Sequence, residues 1–189
     1  MMQTENANQK LAEEIMLQIK PVGITEYTNV RDFYYSLIDE MEQSEFKPGW
    51  ERDIYPTQEF LIQSIESNEL FIGMINEQIA ACMVVNHNYN EGYNNIRWSI
   101  TAADAELYVI HALGVHPNFS GRGIAKQMVR SVIEMAKKNH MKTIRLDVLG
   151  GNLPAERAYT KMNFQYVDTI KMFYEDTGWT DFKLFEYLV

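Results

Sequence analysis

Gly121 and Gly123 stand at the start of an amphipathic helical pattern, where they could bind a phosphate group. They follow the apolar run Leu113-Gly114-Val115 and the turn residues His116-Pro117. The first turn of a helix has about four unpaired backbone N–H groups and a positive dipole end, and glycine lets an anion approach that backbone. The stretch has neither the Lys and Ser/Thr of an NTPase phosphate loop nor the third glycine of a dinucleotide fingerprint. It therefore predicts either a pyrophosphate site of another kind or a plain structural turn.

His111, in the apolar run before this turn, is suited to moving a proton. The reference pKa of imidazole is about 6.5, so a base of this kind would lose activity below an apparent pKa of about 6–7. Strict alternation along a strand places His111 on the same face as Val109, Leu113 and Val115. A core histidine satisfied by a hydrogen bond is the alternative interpretation.

Composition limits the classes of protein and partner. The chain has 189 residues, 46% of them hydrophobic, and a net charge of −9. This predicts one domain with a sizeable core, argues against nucleic acid as a partner, and weakly favours cationic small molecules. The single cysteine, Cys82, forms no internal disulfide. No apolar run approaches the ~20 residues of a membrane span and the N-terminus is polar, so we expect a cytoplasmic protein with no membrane partner.

The elements that position these residues alternate between strands and helices. Hydrophobic periodicity and turn residues predict strands at 16–22, 69–75, 78–86, 107–115, 143–149, 164–174 and 182–188. Helices are predicted at 29–41, 57–67, 122–139 and 154–162. Residues 87–105 are predicted to be a long connection with a short central strand. The segment 107–149 reads as a βαβ unit, which makes its two strands parallel. The expected fold is a mixed α/β sheet flanked by helices, formed by residues 13–189 after a flexible extension at 1–12.

Two motifs resemble those of the GNAT acetyltransferases. The family pattern Gln/Arg-x-x-Gly-x-Gly/Ala falls on Ser120, Gly123 and Ala125, with Ser120 in place of Gln or Arg. The segment 152–164 is similar to Asn-x-x-Ala-x-x-x-Tyr-x-x-x-Gly-Phe, with Asn163 in place of glycine. Asparagine is the next-best residue for a left-handed helix cap, so this second departure is mild.

The resemblance implies a GNAT-like fold with a central parallel pair of strands. It also implies that acetyl-CoA is the cosubstrate, that no metal is needed, and that a primary amine attacks the thioester directly. Asn152 would bond the pantetheine amides, or else serve only as a helix cap, and the Leu113 N–H could donate to the thioester oxygen. The cofactor contacts that it implies are Leu113, Gly114, Val115, Ser120, Gly121, Arg122, Gly123, Ile124, Ala125, Lys126, Asn152, Ala155 and Tyr159.

Acyl transfer to an amine requires a proton donor for the departing thiolate and an acceptor for the amine proton. The resemblance makes Tyr159 the candidate acid, since a phenol with a reference pKa near 10 stays neutral until it donates. Ring packing on the core is the alternative role. His111 is the candidate base, because the resemblance places it on the strand that lines the cleft. The alternative bases are the acidic residues Glu51, Asp53 and Glu106.

Loops that shape the acceptor site in this family correspond here to segments rich in aromatic and acidic residues. These segments could hold a cationic amine, or they could be solvated acidic loops. The residues concerned are Trp50, Tyr55, Trp179, Glu51, Asp53, Glu175, Asp176 and Asp181.

Two other functions compete with catalysis. The chain could be a non-catalytic acyl-CoA sensor of the same fold, or a structural module whose glycine turn binds nothing. Sequence leaves open the small-molecule or peptide amine that accepts the acyl group, the acyl chain length, and whether the protein is a monomer or a homodimer.

Overall fold

The computed structural model describes residues 17–42 and 49–189. The predicted extension 1–12 lies outside this range, as do the first residue of the predicted strand 16–22 and part of the loop before Pro56. Within the described residues, no helix is long and apolar enough to cross a membrane.

The described residues form a seven-stranded sheet with four α-helices. The strands are β1 (Gln18–Pro21), β2 (Leu70–Ile75), β3 (Gln78–Asn86), β4 (Leu107–Val115), β5 (Thr143–Leu149), β6 (Gln165–Tyr174) and β7 (Gly178–Leu188). The helices are α1 (Tyr27–Met41), α2 (Gln58–Glu66), α3 (Ile124–Lys138) and α4 (Leu153–Lys161).

Most predicted elements are confirmed to within a few residues, and two of the predicted strands are wrong in their existence or bounds. Asn76 and Glu77 both adopt positive φ, of 47° and 63°, as a two-residue hairpin turn requires. The connection 87–105 contains a 3-10 turn at Glu91–Asn95 but no strand. Its apolar side chains pack on the face of the sheet, and its backbone does not pair with a strand. Strand β7 begins at Gly178 rather than at residue 182, which puts Trp179 and Asp181 in the strand and not in a loop.

The centre of the sheet is a parallel pair of strands that separates along its length. The strand order is β1-β2-β3-β4-β5-β7-β6, and only the β4–β5 pair is parallel. Pairing between β4 and β5 ends at Val109 and Arg145, although both strands continue beyond these residues. The mixed sheet and its central parallel pair confirm the predicted fold class, and the loss of pairing leaves a gap between the two strands.

Helices and one long connection cover the two faces of this sheet. Helix α3 packs on one face through Ile124, Met128 and Val132. Helices α1 and α2 pack on the opposite face over the β1–β4 half, and the connection 87–105 covers the β5–β7 half of that face through Tyr93. The gap between β4 and β5 therefore lies beneath the junction of two covering layers.

A β-bulge in β4 changes which side chains face the gap. Cys82 pairs with Gly114 and Val84 with His111, so Ala112 and Leu113 together lie opposite one residue of β3. Ala112 has a φ of 49°, and its carbonyl oxygen accepts a 2.8 Å hydrogen bond from the buried Tyr34 hydroxyl.

The bulge makes the strict alternation predicted for β4 wrong. Leu113 and Val115 pack on the α3 side of the sheet, whereas the His111 ring contacts Phe60 of α2 on the other side, with ring centroids 6.3 Å apart. The extra residue moves every later side chain to the opposite face.

Replacing Tyr34 with phenylalanine is expected to destabilise the bulge. It removes the donor and leaves the Ala112 carbonyl buried without a partner, which costs about 1–3 kcal/mol. Urea unfolding measures the loss. Tyr35→Phe is the matched control, because the Tyr35 hydroxyl bonds Asp53 at the surface, and its effect should stay within about 0.5 kcal/mol. Equal losses in the two variants would show that the Tyr34–Ala112 bond does not hold the bulge.

Candidate active site

A cavity of about 450 Å³ fills the gap between β4 and β5 and is lined from both faces of the sheet. On the α3–α4 face, Val148, Ala155 and Tyr159 line it. On the opposite face, His111 and Asp147 line it together with aromatic side chains. The cavity can therefore admit two reactants from opposite sides of the sheet.

The glycine turn before α3 has the backbone that a phosphate group requires. Gly121 and Gly123 have φ values of 73° and 72°, which glycine adopts without strain. A Cβ atom at either position would meet nothing within 4 Å, so the space in front of this backbone is open. Gly123 is the N-cap of α3 and provides no side-chain cap, which leaves the N–H groups of the first turn available. These features fit a pyrophosphate.

The other predicted cofactor residues lie either on the cavity wall or around the glycine turn, and two lie at neither place. Leu113, Asn152, Ala155 and Tyr159 line the cavity. Around the turn, Ser120, Arg122 and Lys126 are exposed, Ala125 is partly buried and Ile124 is buried, so Ile124 can offer only its backbone. Gly114 and Val115 are not among the lining residues of the cavity.

Two of these positions also have structural roles. The Asn152 Oδ1 accepts a 3.2 Å bond from the Ala155 N–H, so the predicted capping role is observed, and the Asn152 Nδ2 stays available for a ligand. A Cβ atom at position 114 would lie 2.3 Å from the Leu37 side chain of α1. Close packing against α1 therefore accounts for the glycine at this position.

Tyr159 reaches the cavity from α4. Its ring packs against Phe164 and Phe185, with centroids 5.5 and 6.4 Å away. Within the described chain, its hydroxyl has no hydrogen-bond partner. Burial, and next the negative charge of Asp147, raise the pKa of Tyr159 well above its usual range. The phenol therefore keeps its proton at neutral pH and can act as a proton donor but not as a base.

His111 is held as a neutral ring. Its Nε2 lies 3.0 Å from both the Asn86 Oδ1 and the Asn88 carbonyl oxygen. The Asn86 oxygen is identified by the Asn88 N–H that donates to it, so both neighbours are acceptors and Nε2 must carry the proton. Burial lowers the pKa of His111 to about 4, and the hydrogen bond to Asn88 opposes this shift. The pH dependence near 6–7 expected for an unperturbed imidazole therefore moves to about pH 4.

Asp147 is a cavity residue that was not among the predicted site residues. Its Oδ2 accepts hydrogen bonds from the hydroxyls of Tyr93, at 2.8 Å, and Tyr174, at 3.0 Å. Burial raises the pKa of Asp147, while the two tyrosine bonds oppose that rise. Its Oδ1 has no hydrogen-bond partner among the described residues. The available signal was a single acidic residue at the centre of the apolar half of β5.

The aromatic and acidic segments contribute only part of the predicted acceptor site. Trp50, Tyr55 and Asp176 line the cavity. Trp179 is 72% exposed and packs on Phe173, and the carboxylate of Asp181 pairs with Lys171.

The three acids named as alternative bases all lie outside the cavity wall. Asp53 is bonded to Tyr35 and Gln58 at the surface, and Glu106 pairs with Lys142. Glu51 is outside the cavity wall, but its charge raises the pKa of Asp176.

Comparisons with known proteins agree on one family. Residues 34–164 match the Acetyltransferase (GNAT) family. The chain is 30% identical over 71 residues to the N-alpha-acetyltransferase RimI of Mycobacterium tuberculosis, which is 38% of this chain and 43% of that protein. The matched segments span only 23–43% of the curated relatives' lengths.

Solved structures share the fold at low sequence identity. A GNAT-family acetyltransferase from Streptococcus agalactiae aligns with a TM-score of 0.76 at 18% identity, over 92% of this chain and 95% of that one. Arabidopsis thaliana NAA60 in complex with acetyl-CoA aligns with a TM-score of 0.66 at 19% identity, over 92% of this chain and all of that one (100%).

Proposed function

Because this chain belongs to the Acetyltransferase (GNAT) family, we propose that it transfers the acetyl group of acetyl-CoA to a primary amine by direct attack on the thioester. The observation that carries this proposal is the cavity that crosses the sheet, with Tyr159 on one side and Asp147 on the other. When bound, acetyl-CoA supplies the activated acetyl group. The net reaction joins the amine nitrogen to the acetyl carbon and releases coenzyme A, so the amine gives up one proton and the sulfur takes one.

The cosubstrate would be held by the glycine turn and the α3–α4 face of the gap. The N–H groups of the first turn of α3 would bind the pyrophosphate, and the exposed Arg122 and Lys126 add positive charge beside them. The Asn152 amide and the backbone of Leu113, at the bulge, would bind the pantetheine arm. NAA60, whose structure contains acetyl-CoA, has the same fold, which supports this placement by analogy.

Tyr159 is the proposed donor to the departing sulfur, since its raised pKa keeps the phenol protonated. Two groups compete for the amine proton. The His111 Nδ1 has a free lone pair because Nε2 carries the ring proton, but a pKa of about 4 makes this imidazole a weak base. Asp147 is the candidate we favour, because burial raises its pKa and its Oδ1 has no hydrogen-bond partner among the described residues, which leaves that oxygen free to accept the amine proton.

Two assays test the proposal against its alternatives. Coenzyme A that binds the folded state should raise its free energy of unfolding by about 2.7 kcal/mol at a hundredfold excess over Kd. A thiol-release assay with a panel of amines should then show amine-dependent release of coenzyme A. Binding without release for any amine would support the acyl-CoA sensor, and no binding at all would support the structural module.

Gly123→Val is expected to weaken coenzyme A binding by at least about tenfold, which corresponds to about 1.4 kcal/mol. The branched side chain would project into the open space before α3, and a left-handed φ is strained for valine. Isothermal titration with coenzyme A measures the change in Kd.

Gly178→Val is the control for strain. Gly178 has a φ of 63° and equally open space, but it is the first residue of β7, next to the β6–β7 turn and away from the start of α3. Coenzyme A affinity should stay near the wild-type value in this variant. A folded Gly123→Val protein with unchanged affinity would overturn the placement of the pyrophosphate.

A further inference from the structure

The acceptor half of the cavity contains two carboxylates and, among the described residues, no lysine or arginine. Asp147 and Asp176 both line it, and none of the lining residues is lysine or arginine. Burial is the main cause that raises the pKa of each carboxyl group, and the charge of Asp176 adds to the shift at Asp147. Both carboxylates are partly buried, and a cation bound between them would offset the cost of holding two like charges close together.

The two carboxylates lie along one aromatic wall. The charges of Asp147 and Asp176 both raise the pKa of Tyr55, so this side chain is within electrostatic reach of each. The rings of Trp50, Tyr55 and Phe60 form a continuous series, with centroid separations of 5.7 and 6.1 Å. Ring faces attract ammonium groups and also pack against methylene chains. The wall therefore suits an aliphatic chain that connects two positive charges.

A third polar group at the cavity lacks a partner. Thr177 follows Asp176 in the β6–β7 turn and lines the cavity. Its Oγ1 is buried, and no hydrogen-bond partner exists for it within the described residues. A buried hydroxyl without a partner costs about 1–3 kcal/mol, a cost carried by the turn that holds Asp176 at the cavity.

We propose that the acceptor is a small aliphatic di- or polyamine, with its reacting amino group at Asp147 and a second ammonium group at Asp176. This inference rests on the proposed acetyl transfer. A carboxylate on the acceptor would meet Asp147 or Asp176 without a compensating cation on the cavity wall, so amino acids and acidic amines are poor acceptors. Among the described residues, Glu51 extends the negative charge beyond Asp176 on the outer side of the cavity.

Three acceptors of equal chain length test the proposal: cadaverine with two ammonium groups, pentylamine with one, and aminovalerate with one ammonium and one carboxylate. An alanine-initiated tetrapeptide amide represents peptide acceptors. Steady-state coenzyme A release should give kcat/KM in the order cadaverine, pentylamine, aminovalerate, with about tenfold or more between neighbours and the peptide below cadaverine.

Asp176→Asn should abolish the preference for the diamine. We expect kcat/KM for cadaverine to fall to about that for pentylamine, mainly through a higher KM, because only the second ammonium group loses its partner. Asp181→Asn is the matched control, since Asp181 pairs with Lys171 on the outer hairpin, and it should retain the preference.

The outcomes separate this inference from the proposed function. Turnover in which pentylamine, aminovalerate or the peptide equals or exceeds cadaverine overturns the acceptor assignment and leaves acetyl transfer intact. A diamine preference that survives Asp176→Asn also overturns it. Absence of turnover with every amine contradicts the proposed function itself.

Discussion

Replacing Tyr159 with phenylalanine is expected to lower kcat by about 10²–10⁴-fold, the usual loss when a general acid is removed. The phenylalanine ring keeps the contacts with Phe164 and Phe185. The Tyr159 hydroxyl has no partner among the described residues, so its removal leaves no buried group unpaired. Stability and coenzyme A affinity should therefore remain near wild type while the chemical step slows.

Single-turnover kinetics are the appropriate measurement, because slow product release could hide a change in the chemical step. Tyr166→Phe is the control, since Tyr166 is 56% exposed and its hydroxyl bonds Thr169, outside the cavity. A single-turnover rate unchanged by Tyr159→Phe would show that Tyr159 contributes only ring packing and not proton transfer.

Asp147→Asn is expected to lower kcat/KM by a similar factor, about 10²–10⁴-fold, and to remove the acid limb of the pH profile. A carboxylate accepts a proton only when ionised, so activity falls as the pH falls through its pKa. Because burial raises the pKa of Asp147, this limb should lie above the range of an ordinary aspartate. The asparagine oxygen can still accept from Tyr93 and Tyr174, which should preserve the fold.

His111→Gln distinguishes the two candidate bases. If Asp147 receives the proton, the acid limb of kcat/KM persists in a folded His111→Gln enzyme. If His111 receives it, the limb lies near pH 4 in the wild type and disappears in this variant. Loss of the limb in His111→Gln, together with its retention in Asp147→Asn, would contradict our assignment of the base.

The strands that frame the site could be predicted because each is one long apolar run. The bounds of β4 and β5 agree with the sequence prediction, and the glycine turn and the left-handed φ of 67° at Asn163 follow from local chemistry. The face of His111 could not be predicted. A bulge inserts one residue into β4, and nothing in the apolar pattern from Leu107 to Val115 reveals it.

Asp147 was missed because its surroundings come from distant parts of the chain. Tyr93 lies 54 residues before it and Tyr174 lies 27 residues after it, and only the folded sheet brings them together. The low pKa of His111 could not be predicted either, because it results from burial in the folded protein. The reference value of about 6.5 describes a solvated ring. Sequence therefore predicted the local backbone of the glycine turn, but not the surroundings that distant residues give to Asp147 and His111.

The most direct test of acetyl transfer in the β4–β5 gap is mass spectrometry of a pooled amine library incubated with isotope-labelled acetyl-CoA and the protein. We predict enzyme-dependent transfer of the labelled acetyl group to at least one amine, with an equal amount of coenzyme A released and both products slowed together by Tyr159→Phe. Coenzyme A that binds the protein while no amine in the library becomes labelled would contradict the account and identify the chain as a sensor.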